Sequence, residues 1–105
     1  ILLYADAIPI IPQAKTYAQS GLVPGGTHRN KKYREHQINL DPNLPPEIID
    51  ILFDPQTSGG LLISVPAAKA AALLRKLIGA GIQQAAIIGE VVSDPKGMIG
   101  VRIKS

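Results

Sequence analysis

The chain has 105 residues, 46% of them apolar, 4% aromatic and none cysteine. That length suits one domain with one modest, aliphatic core, burying roughly 60 to 70% of the unfolded surface, and the lack of cysteine excludes disulfides, thiolate metal sites and a cysteine nucleophile within these residues. The net charge of +3 sits in one patch between His28 and His36, where Arg29, Lys31, Lys32 and Arg34 face only Glu35 while the other seven basic and seven acidic residues cancel; basicity therefore does not by itself argue for a nucleic-acid face.

No apolar run approaches the ~20 residues of a membrane span, and no basic start leads into an apolar signal core. The composition is compatible with a reducing, cytoplasmic setting, and the start at Ile1, inside an apolar run, reads as a piece of a longer protein. Residues 1–4 read as the tail of a strand and residues 6–11 as an extended entry. Pro12 stands at a first helical position, good helix formers follow to Ser20, and Gly21 is the stop, which predicts a short helix. Leu22-Val23-Pro24-Gly25-Gly26-Thr27 reads as a loop without regular structure, with the basic patch continuing on it.

Residues 36–40 allow a brief strand, and Asp41-Pro42 marks a turn. A second helix is predicted over 45–53, with prolines at its entry, Glu47 in its first turn, and Ile48, Ile49, Ile51, Leu52 and Phe53 on its buried side. Residues 61–65 are nearly continuously apolar, the pattern of a central strand covered on both faces. Pro66 opens a third helix over 67–78, with Leu73, Leu74, Leu77 and Ile78 on one side, ended by Gly79 and Gly81. Residues 85–92 read as a strand, 93–97 as a turn, and 98–103 as a last strand in which Ile99, Val101 and Ile103 alternate with Gly100 and Arg102. The predicted fold class is α+β, a mixed or antiparallel sheet with helices packed on it and a ferredoxin-related topology.

Between the second helix and the run at 61–65 lies Asp54-Pro55-Gln56-Thr57-Ser58-Gly59-Gly60, too dense in turn formers for helix or strand. Asp54 follows a helix C-terminus, where a carboxylate is disfavoured by roughly 0.3 to 1 kcal/mol unless something offsets it. Two readings stay open: an Asx turn, with the carboxylate accepting the N–H of Gln56 or Thr57, or a cation ligand or polar cleft wall. Thr57, Ser58, Gly59 and Gly60 have the hydroxyls and backbone of an anion cradle, but no helix N-terminus supports them and no lysine follows the glycines. The segment from Gly25 to Asn30 is the second candidate, with Arg29, Lys31, Lys32 and Arg34 able either to steer an anionic substrate such as a nucleotide or phosphate or to remain a solvated loop. His28 and His36 lack companions for a metal site, and no nucleophile has an adjacent base.

Val23-Pro24-Gly25-Gly26-Thr27 with Arg29-Asn30, followed about 25 residues later by Asp54-Pro55-Gln56-Thr57-Ser58-Gly59-Gly60-Leu61-Leu62, resembles the C-terminal part of the selenophosphate synthetase (selenide, water dikinase) family, as do Asp41-Pro42 and Ile88-Gly89-Glu90-Val91. The resemblance covers essentially the whole chain and implies one domain over 1–105, the C-terminal domain of the AIR synthetase-like superfamily truncated at its N-terminal side. It implies an enzyme that uses ATP and Mg²⁺ to convert selenide and water to selenophosphate, AMP and phosphate, and that forms a homodimer through an N-terminal ATP-binding domain absent here. The family's reactive Cys or selenocysteine, catalytic Lys and metal-binding aspartates match no residue of this chain, so no catalytic or metal residue is expected in it and the chain alone is expected to be inactive. In the whole enzyme Thr27, Arg29 and Asn30 are expected near anionic groups, with Asp54, Gln56, Thr57, Ser58, Gly59 and Gly60 shaping the wall of the cleft. The competing readings are another AIR synthetase-like enzyme domain, such as a thiamine-phosphate kinase or hydrogenase-maturation relative, and a stand-alone anion or nucleic-acid binding module using residues 28–36; the low aromatic content argues against nucleic acid.

Overall fold

The apolar run at the start of the chain becomes the middle of a sheet. In the computed structural model, which describes residues 1–104, β1 (Leu2–Tyr4) has β4 (Ile99–Arg102) parallel to it on one side and β3 (Gly89–Glu90) antiparallel on the other. β2 (Ile38–Leu40) runs parallel to β4 on its far side, giving the order β2-β4-β1-β3. The register sets Leu3 and Leu40 on either side of Val101, and directly opposite residues point to the same face. That face carries the core: Ala5, Leu44 and Val101 are buried there, with Leu3, Ile38, Leu40 and Ile103 from the sheet side around them.

The lid on this face is α3 (Pro46–Leu52), which brings down Ile48, Ile49 and Leu52. Behind it lie α1 (Pro12–Gln19) and α2 (Gly25–Arg34), both packed against α3; Gln19 Nε2 donates to Glu47 Oε1 at 2.9 Å, and Ala18 is buried between α1 and its neighbours. The architecture is therefore α+β with a mixed sheet, as the sequence predicts.

The helix stops follow the glycines. At the end of α1, Gly21 takes φ +77°, with its N–H bonded to the Ala18 carbonyl and that of Leu22 to Tyr17. Gly81, at φ +97°, repeats the pattern after α4 (Ala67–Gly79), with Gly81 bonded to Ile78 and Ile82 to Leu77. Both are Schellman motifs, in which a left-handed residue lets two N–H groups turn back onto the last free carbonyls. Gly79, expected as part of the stop, is the last helical residue instead. Gly89 serves another need: a Cβ there would fall on the Leu2 carbonyl, so β3 reaches β1 only through a glycine.

Several expectations need correction. The stretch after Pro24 is a helix, not a loop: Pro24 (φ −62°, ψ 147°) precedes it, the Thr27 N–H bonds to the Pro24 carbonyl at 3.0 Å, and Lys31, Lys32 and Arg34 fall in the last turn, where cations suit the dipole. The entry at 6–11 begins in a 3-10 turn, Ala5–Ala7, rather than as extended chain. Among the described residues, 61–65 pair with no strand, and within 85–92 only Gly89–Glu90 does. A strand is defined by its partners, and apolar content supplies none. No residue of α4 is buried; Leu73, Leu74 and Leu77 are half-covered, and Ile78, expected on the covered side, is exposed.

Candidate functional site

The two segments that carry the sequence motifs are in contact. A Cβ on Gly26 would stand 2.9 Å from Pro55 Cγ and 3.2 Å from Pro55 Cβ, so the second residue of α2 is a glycine because the proline ring lies against it. One turn on, Asn30 Nδ2 donates to the Phe53 carbonyl at 3.0 Å. This side chain satisfies one of the carbonyls left free at the end of α3, the need that any helix C-terminus has. Between them Thr27 is 1% exposed, and its Oγ1 has no hydrogen-bond partner.

These contacts divide the candidate residues into two groups. Thr27, Asn30 and Gly26 face α3 and the start of the 54–60 segment and fasten the two together. Arg29 is exposed, and its guanidinium folds back over the first turn of α2, Nη1 lying 3.4 Å from where a Gly25 Cβ would be and Nη2 3.7 Å from where a Gly26 Cβ would be. Asp54, Gln56, Thr57, Ser58, Gly59 and Gly60 are all exposed. Gln56 curls over Gly59, whose missing Cβ would lie 2.8 Å from Gln56 Oε1.

The Asx turn that the sequence allows at Asp54 forms instead at the other two Asp-Pro pairs. Asp41 Oδ1 accepts the Asn43 N–H at 2.9 Å, and Asp94 accepts from Lys96 at 2.9 Å and from Met98 at 3.1 Å. At Asp54 it is the backbone carbonyl that takes the Gln56 N–H, at 2.9 Å, and the carboxylate accepts nothing among the described residues. The Asn43 N–H holds the Asp41 carboxyl below its ordinary range.

Asp54 stands where two open grooves meet. One, of about 490 Å³, lies between α2 and α3 and is lined by Asn30, Tyr33, Arg34, Ile38, Leu52, Phe53 and Asp54. The other, of about 590 Å³, is more apolar and runs from residues 8–11 past Tyr17, Leu22 and Pro24 to Asp50, Asp54 and Gln56. Tyr33 escaped the sequence reading, and Arg34 entered it only as one cation of the basic patch. Arg34 Cζ sits 4.6 Å from the centroid of the Tyr33 ring, and its Nη1 donates to Gln37 Oε1 at 2.9 Å. Reading 25–34 as a helix would have found them, since positions three and four beyond Asn30 share its side.

Among the described residues no three His, Cys, Asp or Glu side chains gather closely enough to hold a metal ion, so no step through Mg²⁺ is assigned to them. The fit to an anion rests on Arg29 and the first turn of α2, where the Gly25 and Gly26 amides lack intrahelical partners and the dipole favours negative charge.

Fold and site together define an α+β domain whose basic helix and polar turn are fastened into one surface on the helical side of a mixed sheet. The chain belongs to the family described as AIR synthase related protein, C-terminal domain, whose model matches residues 14–102. It is similar to proteins named selenide, water dikinase: 40% identical over 95 residues to that of Pelobacter propionicus (90% of this chain, 27% of the relative) and 53% identical over 72 residues to that of Caldanaerobacter subterraneus (69% and 21%). Selenide, water dikinase 2 of Peptoclostridium acidaminophilum is 45% identical over 86 residues (82% and 24%). The chain thus spans about a quarter of the length of these relatives, and the resemblance read from its motifs is borne out. No helix among the described residues is long and apolar enough to cross a membrane.

Proposed function

We propose that this chain is the C-terminal domain of a cytoplasmic, ATP-dependent enzyme that makes selenophosphate from selenide and water, releasing AMP and phosphate. The observation that carries the reading is the packing of Gly26 on Pro55 and of Asn30 on Phe53, which joins the two motifs shared with the selenide, water dikinases into one surface. ATP, when bound by the longer protein, supplies the phosphoryl group. This chain contributes position: Arg29 meets anionic groups, Thr57 to Gly60 form the rim of the cleft, and Asn30 and the buried Thr27 keep that rim fixed against α2. In this reading a preceding domain binds ATP and Mg²⁺ and forms the homodimer; the greater length of the relatives leaves room for one.

The test is a chimera in which residues 1–105 replace the matching region of the Caldanaerobacter relative. Selenide-dependent AMP formation is expected, with no AMP formed by the 105-residue chain alone. A folded chimera that forms AMP without regard to selenide overturns the assignment. Within the chimera, Arg29→Ala and Thr57→Ala separate roles: a raised KM for ATP is expected, and unchanged kcat and KM for both variants would make the two segments structural only.

A further inference from the structure

Residues 61–65, Leu-Leu-Ile-Ser-Val, have the sequence of an interior strand and the surroundings of none. Leu61 is 90% exposed, Leu62 73% and Ile63 51%. From residue 57 to 65 no backbone N–H or C=O is hydrogen-bonded to any described residue, so both edges of the segment are open. Exposed strands are normally protected by lysines, prolines or bulges, yet no charged residue occurs between Asp54 and Lys69, and the first proline after Pro55 is Pro66. The helix that follows directly, α4, is in the same condition: none of its residues is buried, and Ile78 is exposed.

The area left open has the size of a divided core. A compact protein of 11.1 kDa exposes about 5,700 Å², whereas this chain exposes 7752 Å². Domains that merely touch within one polypeptide bury about 600 to 1,500 Å² between them. The excess here, about 2,000 Å² on one side alone, is larger.

The relatives point to what supplies the rest. Of the 105 residues, the 95 matched in the Pelobacter relative necessarily include 61–65, and so do the 72 matched in the Caldanaerobacter one. In those proteins the segment therefore lies inside a polypeptide of which the matched part is only 27% and 21%. We infer that 61–65 is a sheet strand whose neighbour is supplied by the rest of the same polypeptide, outside residues 1–105, so that one core is shared across that junction. Alternate residues of a strand share a face, so Leu61, Ile63 and Val65 present one apolar face and Leu62 and Ser64 a second, largely apolar one, the pattern of a strand covered on both sides. The neighbour is accordingly an apolar strand with no charge opposite Ile63, paired through backbone groups as in β-augmentation. A covalently joined strand meets this edge at an effective concentration on the order of millimolar, which favours it over a strand arriving from another molecule.

Amide hydrogen exchange compares the 105-residue chain with the chimera built on the Caldanaerobacter relative. Exchange at 61–65 is expected to be fast in the chain alone and at least about a hundredfold slower in the chimera. Ile63→Lys alters a side chain that is half exposed in the chain alone. It is expected to shift that chain's thermal midpoint by less than about 1 °C and to lower the chimera's by about 5 °C or more, since burying an unpaired ammonium is costly. A photoreactive benzophenone side chain at position 63 identifies the neighbour: an adduct of single-chain mass, joined to a peptide outside residues 1–105, is expected. Fast exchange at 61–65 in the chimera, equal effects of Ile63→Lys in both proteins, or an adduct within residues 1–105 or with another copy overturns the inference. Selenide-dependent AMP formation is read separately. Its absence from a chimera that protects 61–65 removes the proposed function and leaves this inference standing, and its presence with 61–65 unprotected does the reverse.

Discussion

Two neighbouring glycines at the start of α2 should answer the same substitution with opposite signs. In an ordinary first helical turn, Gly→Ala stabilises by about 0.4 to 1 kcal/mol, because alanine has fewer unfolded conformations to lose. At Gly25 the new methyl meets only the Arg29 guanidinium, at 3.4 Å, the movable end of a long exposed side chain; the gain should appear. At Gly26 the methyl arrives 2.9 Å from the ring of Pro55, which has no rotamer to escape into, so the helix must lift from the 53–55 segment. Overpacking of that kind costs about 1 to 3 kcal/mol, leaving a net loss of about 1 to 2 kcal/mol for Gly26→Ala. Thermal unfolding followed at 222 nm converts these to shifts of roughly 4 to 8 °C per kcal/mol for a domain of this size, upward for Gly25→Ala and downward for Gly26→Ala. Adding Pro55→Ala should return part of the Gly26→Ala loss, a coupling that a double-mutant cycle reads directly. If both glycine variants gain stability and Pro55→Ala shows no coupling, the two motif segments do not pack on each other, and the reasoning about the site fails.

Three further outcomes are expected. Thr27→Val keeps the shape of a buried side chain while removing a hydroxyl that has no partner, so urea unfolding should reveal a gain of about 1 kcal/mol; a loss of that size means the hydroxyl is bonded. Gly89→Ala forces a methyl onto the Leu2 carbonyl and should cost about 3 kcal/mol, detectable as faster amide exchange at β1 and β3, whereas unchanged exchange counts against the observed strand pairing. Asp41, whose carboxyl is held down chiefly by the Asn43 N–H, adds stability that is present above its ordinary pKa and fades as pH falls through its lower native value; Asp41→Asn should flatten the acid side of the stability profile, and an unaltered profile refutes the role given to that turn.

The parts of the fold legible in the sequence were those set by local chemistry. Pro12 and Gly21 bracket α1, Pro66 stands directly before α4 and Gly81 just after it, and each acts through its own backbone geometry. The alternation around Val101 likewise reports one strand face meeting a core. What escaped was decided at long range. Pro24-Gly25-Gly26 has the composition of a loop, and only packing of Gly26 and Thr27 against α3 and Pro55 accounts for the helix that begins there. Residues 61–65 have the composition of a covered strand, but the partners that would make it one lie outside their own sequence. At the site, Arg29, Arg34 and the 54–60 segment could be singled out by residue type, whereas Tyr33 became visible only with the helix. The carboxylate of Asp54 could not be told apart from those of Asp41 and Asp94, since all three precede proline and their surroundings alone distinguish them.

The place of β4 in the sheet also sets the order in which this chain can fold. Its two flanking strands, β1 and β2, touch each other nowhere and are joined only through it. On a ribosome, α1 and α3 can meet early, but β1 waits for Gly89–Glu90 on one edge and for Ile99–Arg102 on the other. Sheet formation is thus dominated by contacts of high sequence separation and is correspondingly slow. During that interval β1 and β2 stay open to chaperones and to mispairing, and a stop codon shortly before Ile99 would leave them with nothing to join them.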